Sequence, residues 1–241
     1  MLRIALFDLD DTLYAAHSGL WTAIGARIER FMVERVGLAA ETVTGLRREY
    51  LDRFGTTLNG LRHEHHINAA DYLAFVHDVP LEPYIHPSPA LDEMLRRLRL
   101  KKVIFTNSDA PHARRVLARL GIEQHFSTLI DITRLEYDSK PNPRAYERAL
   151  ALLGAQPDEC VLVDDALRNL QPAHALGMLT VLVRAGAPAG DCPDGVDHVI
   201  ETILELEHVV AGAKRAAGAS RVRPATEAGA RPRLGPAGRL T

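Results

Sequence analysis

Two carboxylates two residues apart, Asp8 and Asp10, are where chemistry enters this chain, with Thr12 just behind them. Paired acids repel unless a cation or a proton separates them. The pair therefore asks for a metal ion, or for one acid held protonated, and both suit a nucleophile beside a general acid/base. Three later stretches carry complementary groups. Thr106-Asn107-Ser108 offers hydroxyls and an amide, Ser139-Lys140-Pro141 an ammonium, and Asp164-Asp165 two more acids. Carboxylates are hard oxygen ligands of the kind Mg²⁺ takes, while a hydroxyl and an ammonium are donors for an anion. A metal, a nucleophilic carboxylate, an acid/base carboxylate and an anion clamp together describe phosphoryl transfer. Taken singly, each has a plainer reading: Asp and Thr are ordinary turn and cap residues, and Lys140 alone is a solvated surface lysine.

The elements that must position these groups read as alternating strands and helices. Apolar or β-rich runs predict strands at 3–7, 101–105, 127–131, 161–164 and 179–183. Helices are predicted at 88–98, 111–120, 143–153 and 167–176, with a last one near 201–211. Gly121, Gly154 and Gly177 follow three of them as stops, and Asn142-Pro143 starts another. Such alternation implies an α/β fold, a Rossmann-like parallel sheet with helices on both faces. Asp8, Thr106 and Asp164 then fall at the carboxyl ends of strands, where open α/β sheets bind ligands. Residues 15–87 break the alternation and read as helices 18–36, 40–54 and 68–77, with a polar, Gly-containing loop from Gly55 to Asn68. The expected division is a core of 1–14 and 88–211, a helical insertion of 15–87 over the site as a lid, and a tail of 212–241.

Composition bounds the rest. With 241 residues and 46% apolar content the chain can bury a real core. No apolar run is long enough to span a bilayer, so no membrane insertion is expected. No secretory signal is visible, and Cys160 and Cys192 form no framework; cytoplasmic residence is the expectation. The net charge of −2 hides an asymmetry: from Gly212 onward there are seven Lys/Arg and one acid. That tail is poor in large apolar residues and reads as disordered, with a polyanion-binding arm as the sharper alternative. Monomer and homodimer are both compatible with the chain.

Asp8-x-Asp10-x-Thr12, Thr106, Lys140 and Asp164-Asp165 resemble the four motifs of the haloacid dehalogenase superfamily, in order, over about residues 1–210. The resemblance implies an inserted C1 helical cap and gives the residues roles. Asp8 would be the nucleophile and a Mg²⁺ ligand. Asp10 would be the acid/base, with its backbone carbonyl on the metal. Thr106 and Lys140 would hold the phosphoryl group. Asp165, with Asp164 beside it, would complete the metal site. Asp10 separates the chain from the family's dehalogenases, which lack an acid there, and from its transport ATPases, which carry Thr. Asp11-Thr12-Leu13-Tyr14, Phe54 to Leu61, His112-Ala113-x-Arg115-Val116-Leu117 and Asp164 to Leu170 are similar to the pyrimidine 5′-nucleotidase group.

The implied activity is hydrolysis of a nucleoside 5′-monophosphate. Alternatives are a phosphatase for another small phosphomonoester, a phosphosugar mutase, or a non-catalytic binding protein of the same fold. Asn107 and Ser108 are expected near the phosphate, with holding the groups that contact it equally open, and Arg168 and Asn169 near the acids. Tyr14 and Phe54 are candidates to stack on a base, packing of both aromatics between insertion and core being the alternative; Thr56, Thr57 and Asn59 are candidates to read a base edge, and Arg62 is a further candidate for selectivity. His63-Glu64-His65-His66 lacks the spacing of helix-borne zinc sites and reads as part of a polar loop. Arg47-Arg48, Arg96-Arg97 and Arg114-Arg115 read as solvated faces.

Overall fold

The computed structural model describes residues 1–186 and 192–220, with side chains described as far as Ala213. Six strands, β1 (Ile4–Phe7), β2 (Lys101–Phe105), β3 (Thr128–Ile130), β4 (Cys160–Asp164), β5 (Leu179–Val183) and β6 (His198–Ile200), form one sheet in the order β3-β2-β1-β4-β5-β6. Every pairing is parallel. β1 and β4 are buried along their whole length. A strand covered on both faces needs an unbroken apolar run rather than an alternating one, and Ile4-Ala5-Leu6-Phe7 supplies it.

Alternate residues of β1 feed two cores. Ala5 and Phe7 join a cluster with α5 (Pro89–Arg97), α6 (Ala110–Leu120) and α9 (Leu206–Ser220), whereas Ile4 and Leu6 join one with α7 (Pro143–Leu153) and α8 (Leu167–Ala175). Side chains cap the helices that follow the functional loops. Asp109 accepts from the His112 amide at the start of α6 and Asn142 from the Arg144 amide at the start of α7; a proline stands in the first turn of each.

Four helices lie between β1 and α5: α1 (Leu20–Glu34), α2 (Ala40–Phe54), α3 (Thr57–His65) and α4 (Ala69–Val76). α3 corrects the expected loop. Thr56 caps it by accepting from the Asn59 amide, and Thr57, Leu58, Gly60 and Leu61 form its buried stripe. Gly60 looked like a loop residue. In the fold it lets α3 press against α2, because a Cβ there would sit 2.3 Å from the Tyr50 ring. His63 and His65 therefore stand on a helix, and His65 Nε2 lies 2.8 Å from the Tyr50 hydroxyl.

Further differences follow from local chemistry. β6, three residues long, was not expected; Asp197 beside it accepts from the amide and hydroxyl of Thr180 on β5. α9 runs to Ser220, nine residues into the segment read as disordered. Its several alanines carry the highest intrinsic helix propensity. Residues 221–241 lie outside the described residues. Arg47 and Arg115 are not merely solvated: Arg47 bonds the Gly25 carbonyl and Glu29, and Arg115 donates to the carbonyls of His77 and Val79.

Candidate active site

The site forms where β1, β2 and β4 end side by side. The Asp8 amide donates to the Val163 carbonyl of β4 (2.9 Å), extending the strand pairing one residue past Phe7. The chain then turns through Asp11, whose φ of +61° is a conformation Asp tolerates better than most residues. This turn sets Asp8, Asp10 and Thr12 around one point. The Thr12 hydroxyl accepts from the Asp165 amide (3.0 Å) and lies 3.2 Å from Asp165 Oδ1, tying the loop after β1 to the loop after β4.

Lys140 comes from the loop before α7 and is 1% exposed. Its Nζ donates to Asp8 Oδ1 (2.8 Å) and Asp164 Oδ2 (2.6 Å). Asn107 supports it: the Asn107 amide donates to the Lys140 carbonyl and its oxygen accepts from the Lys140 amide, both at 2.9 Å. Asn107 lines the cavity, but its amide is engaged by the lysine's main chain. The Thr106 hydroxyl accepts from the Ser108 amide (3.0 Å), which leaves its own hydrogen to donate. Ser108 donates not to an open anion position but to Asp10 Oδ2 (2.6 Å).

Asp8, Asp164 and Asp165 bring carboxylate oxygens within 4.8 Å of one another. Both oxygens of Asp164 are already engaged, by Lys140, the Ala166 amide and the Asn169 side chain. Asp165 has only Thr12. Burial and then repulsion from Asp164 push Asp165 up to about 6. Burial, with Asp165 and Asp10 adding to it, pushes Asp11 up to about 7, and one Asp11 oxygen is buried without a partner. Burial also raises Asp8, although Lys140 opposes it. Lys140 keeps its proton because Asp164 and Asp8 outweigh its own burial. Four crowded acids against one ammonium, all oxygen donors, fit a hard divalent cation such as Mg²⁺.

Asp10 behaves differently. Burial alone would raise it, but His112 and the Ser108 hydrogen bond more than offset that and hold it well below the usual carboxylate range. Sequence reasoning noted His112 only inside a family-like stretch. The residue is 1% exposed, and its ring stacks on His77 with centroids 4.2 Å apart.

A cavity of about 440 Å³ opens above these groups. Asp8, Asp10, Asp165, Thr106 and Lys140 lie in its lining, and the inserted helices supply much of the rest, including Trp21 and Ile24 of α1, Arg48 of α2 and Tyr72 of α4. Thr56 and Thr57 face it, as does Arg168 from α8. The other residues expected to recognise a base do not line it. The Tyr14 ring is buried and its hydroxyl donates to Asp10 Oδ1 (2.9 Å). Phe54 packs against the Arg53 guanidinium and the His63 ring, on a neighbouring groove of about 820 Å³. Asn59 and Arg62 line that groove as well. Asn59 donates to the Tyr137 carbonyl and the Ser139 hydroxyl, and Arg62 lies over the Tyr137 ring. The aromatics in that lining are Trp21 and Tyr72, of which Trp21 is the exposed one. It is the chain's single tryptophan and 46% exposed, and no motif in the sequence singled it out.

Residues 2–177 match the family described as haloacid dehalogenase-like hydrolases. The chain is similar to a glyceraldehyde 3-phosphate phosphatase of Methanopyrus kandleri, 31% identical over 87% of this chain and 97% of that protein. It is also similar to phosphate metabolism protein 8 of Saccharomyces cerevisiae, 28% identical over 73% of this chain; the match spans 60% of the yeast protein's length. Among solved structures, a phosphatase of the same superfamily from Thermococcus onnurineus superposes with a TM-score of 0.59 over 88% of this chain and 99% of its own, at 23% identity.

Proposed function

The chain belongs to the haloacid dehalogenase-like hydrolase family, and on that premise we propose that it hydrolyses phosphomonoesters with Mg²⁺ through a phosphorylated Asp8. Its similarity to a glyceraldehyde 3-phosphate phosphatase over nearly that protein's whole length supports a phosphatase of small phosphate esters. The observation that carries the mechanism is Lys140, buried to 1% and bridging Asp8 and Asp164. Burying an ammonium between two acids costs desolvation energy that an apolar core would avoid, so its use lies in the chemistry.

In the first half-reaction an Asp8 oxygen attacks phosphorus. The bond to the leaving oxygen breaks, and that oxygen takes a proton from Asp10. In the second, water attacks the aspartyl-phosphate, Asp10 takes the proton of water, and Asp8 leaves as a carboxylate. Asp10 sits low in the free protein, and the phosphoryl charge arriving beside it favours the protonated form the first half needs. Lys140 and the Thr106 hydroxyl donate to the phosphoryl oxygens as their charge redistributes. Asp8, Asp165 and the Asp10 carbonyl would hold Mg²⁺, with Asp164 positioned by Lys140 and Asn169 beside them. When bound, the ion neutralises charge on the acids and on the phosphoryl group.

For the leaving group we favour a nucleoside, with a pyrimidine base in the cavity. Trp21 gives a flat face for a base, Thr56 and Thr57 give hydroxyls, and about 440 Å³ lies within the range of pockets that enclose a whole small ligand. The second reading is a triose phosphate, from the near full-length match to the archaeal phosphatase. Phosphate release with Mg²⁺ from UMP, CMP, AMP, glyceraldehyde 3-phosphate and a lysophosphatidate decides between them. Highest kcat/KM on a pyrimidine nucleotide supports the first reading. A tenfold preference for glyceraldehyde 3-phosphate replaces it with the second.

A further inference from the structure

Asp10 accepts three hydrogen bonds, and their distribution is uneven. Oδ1 takes the Tyr14 hydroxyl (2.9 Å) and His112 Nε2 (3.0 Å), while Oδ2 takes only the Ser108 hydroxyl (2.6 Å). A carboxylate offers about four lone-pair directions, two on each oxygen. Oδ1 is thus full, and Oδ2 keeps one direction free in a side chain that lines the catalytic cavity.

His112 is held at that place by an arrangement that the apolar core does not require. With Nε2–H on Asp10, its Nδ1 is buried and has no partner. An unpaired buried polar atom is a cost that most folds avoid. The ring is kept there from two sides. His77 stacks on it with an interplanar angle of 17°, and the His77 Nδ1 lies 2.8 Å from Asp109 Oδ1. The same Asp109 oxygen accepts from the His112 amide.

We propose that His112 is a positioning residue for Asp10: together with Tyr14 it occupies Oδ1, so that Oδ2 is the atom that passes the proton to the leaving oxygen and takes it back from water. The inference rests on the phosphatase reading above. In the first half-reaction the O–H bond at Oδ2 breaks as the leaving oxygen gains the proton. In the second, the proton of the attacking water returns to Oδ2.

The test uses leaving-group demand. An alkyl phosphate needs its oxygen protonated as the bond breaks, whereas 2,4-dinitrophenyl phosphate releases a stable anion unaided. kcat/KM reports the steps up to release of the leaving group, so it isolates the first half-reaction. His112→Ala should lower kcat/KM for a nucleotide or other alkyl ester at least tenfold more than for the dinitrophenyl ester, within the range general acid catalysis supplies. His112→Gln, whose amide nitrogen reaches the same oxygen, should restore most of the ratio. Tyr14→Phe should shift the ratio in the same direction. Equal losses on both esters in His112→Ala, unrelieved by Gln, would overturn the proposal. If His112→Ala does not melt cooperatively, Tyr14→Phe decides, and an unchanged ester ratio there overturns it equally. Failure of the phosphatase reading itself would appear in the unmodified protein, as no release from either ester.

Discussion

Replacing Lys140 with Met tests the charge balance of the site apart from its chemistry. The ammonium sits 2.8 Å from Asp8 and 2.6 Å from Asp164, and the three side chains are 1%, 12% and 0% exposed. Met keeps much of the length and loses the charge, leaving two buried carboxylates with no cation. Removing one partner of a buried ion pair costs about 3–5 kcal/mol. An independent bound agrees. The variant can escape by taking up one proton, and protonating an ordinary carboxyl at pH 7 costs about 4 kcal/mol. For a chain of this size that is a fall in Tm of about 6–20 °C. The escape route also sets the pH dependence, since the penalty should shrink by about 1.4 kcal/mol for each unit of acidification. Urea unfolding at pH 7.5 and pH 5.5, in EDTA, measures it directly. A penalty under about 1 kcal/mol at pH 7.5, or the same penalty at both values, would refute the claim that Lys140 neutralises these acids.

Asp8→Asn should keep the fold and lose turnover, because an amide cannot form the acyl-phosphate; retention of more than a small fraction of the rate would sink the covalent route. Asp165 and Asp11 are raised in the fold, to about 6 and about 7, above their unfolded values of about 4. The folded state thus holds more protons, and metal-free stability should be fully present below about pH 4 and decline as pH rises through 6 to 7. Mg²⁺ should therefore raise Tm more at pH 8 than at pH 5, where protons already occupy the site, and the opposite order in differential scanning fluorimetry would contradict the acids as ligands. Trp21→Ala should cut kcat/KM for a nucleotide relative to a small phosphate ester by about tenfold, given roughly 1–3 kcal/mol per stacked base; an unchanged ratio would move base recognition elsewhere. Gly55→Ala should cost about 1 kcal/mol or more, since φ is +79° and the new Cβ would lie 3.0 Å from the Ser139 hydroxyl; full wild-type stability by chemical denaturation would show that this contact yields freely.

What was legible in the chain were groups whose placement follows from local rules. Asp8 and Asp164 end apolar runs, and a parallel sheet brings the ends of such runs to one edge. Asn142-Pro143 and Gly154 bound α7 by cap chemistry alone. What stayed hidden depends on partners distant in sequence. Gly60 and the polar residues around it concealed α3, because the close packing that Gly60 permits is against the Tyr50 ring on α2. Tyr14 read as a stacking surface, and only the turn at Asp11 shows its hydroxyl directed to Asp10. Phe54 is close in sequence to Thr56 yet lies on another groove, since Gly55 reverses the chain between them. His112 is a buried polar residue on an amphipathic helix, and nothing nearby in sequence indicates Asp10, 102 residues away, as its acceptor.

Both connections between the inserted helices and the sheet pass through the surroundings of Asp10. Tyr14 stands where the chain leaves the sheet for α1, and His77 stands where it returns from α4. The two anchor points of the insertion are also the two approaches to Asp10, the carboxylate to which the proposed mechanism gives the proton. Exchange of the insertion for another therefore has a fixed boundary. On the proposed mechanism, helices α1 to α4 are the part to exchange between these anchors for a new leaving group, whereas a graft that discards Tyr14 and His77 removes groups that surround Asp10. For recombination, natural or engineered, the interchangeable module is shorter than the insertion.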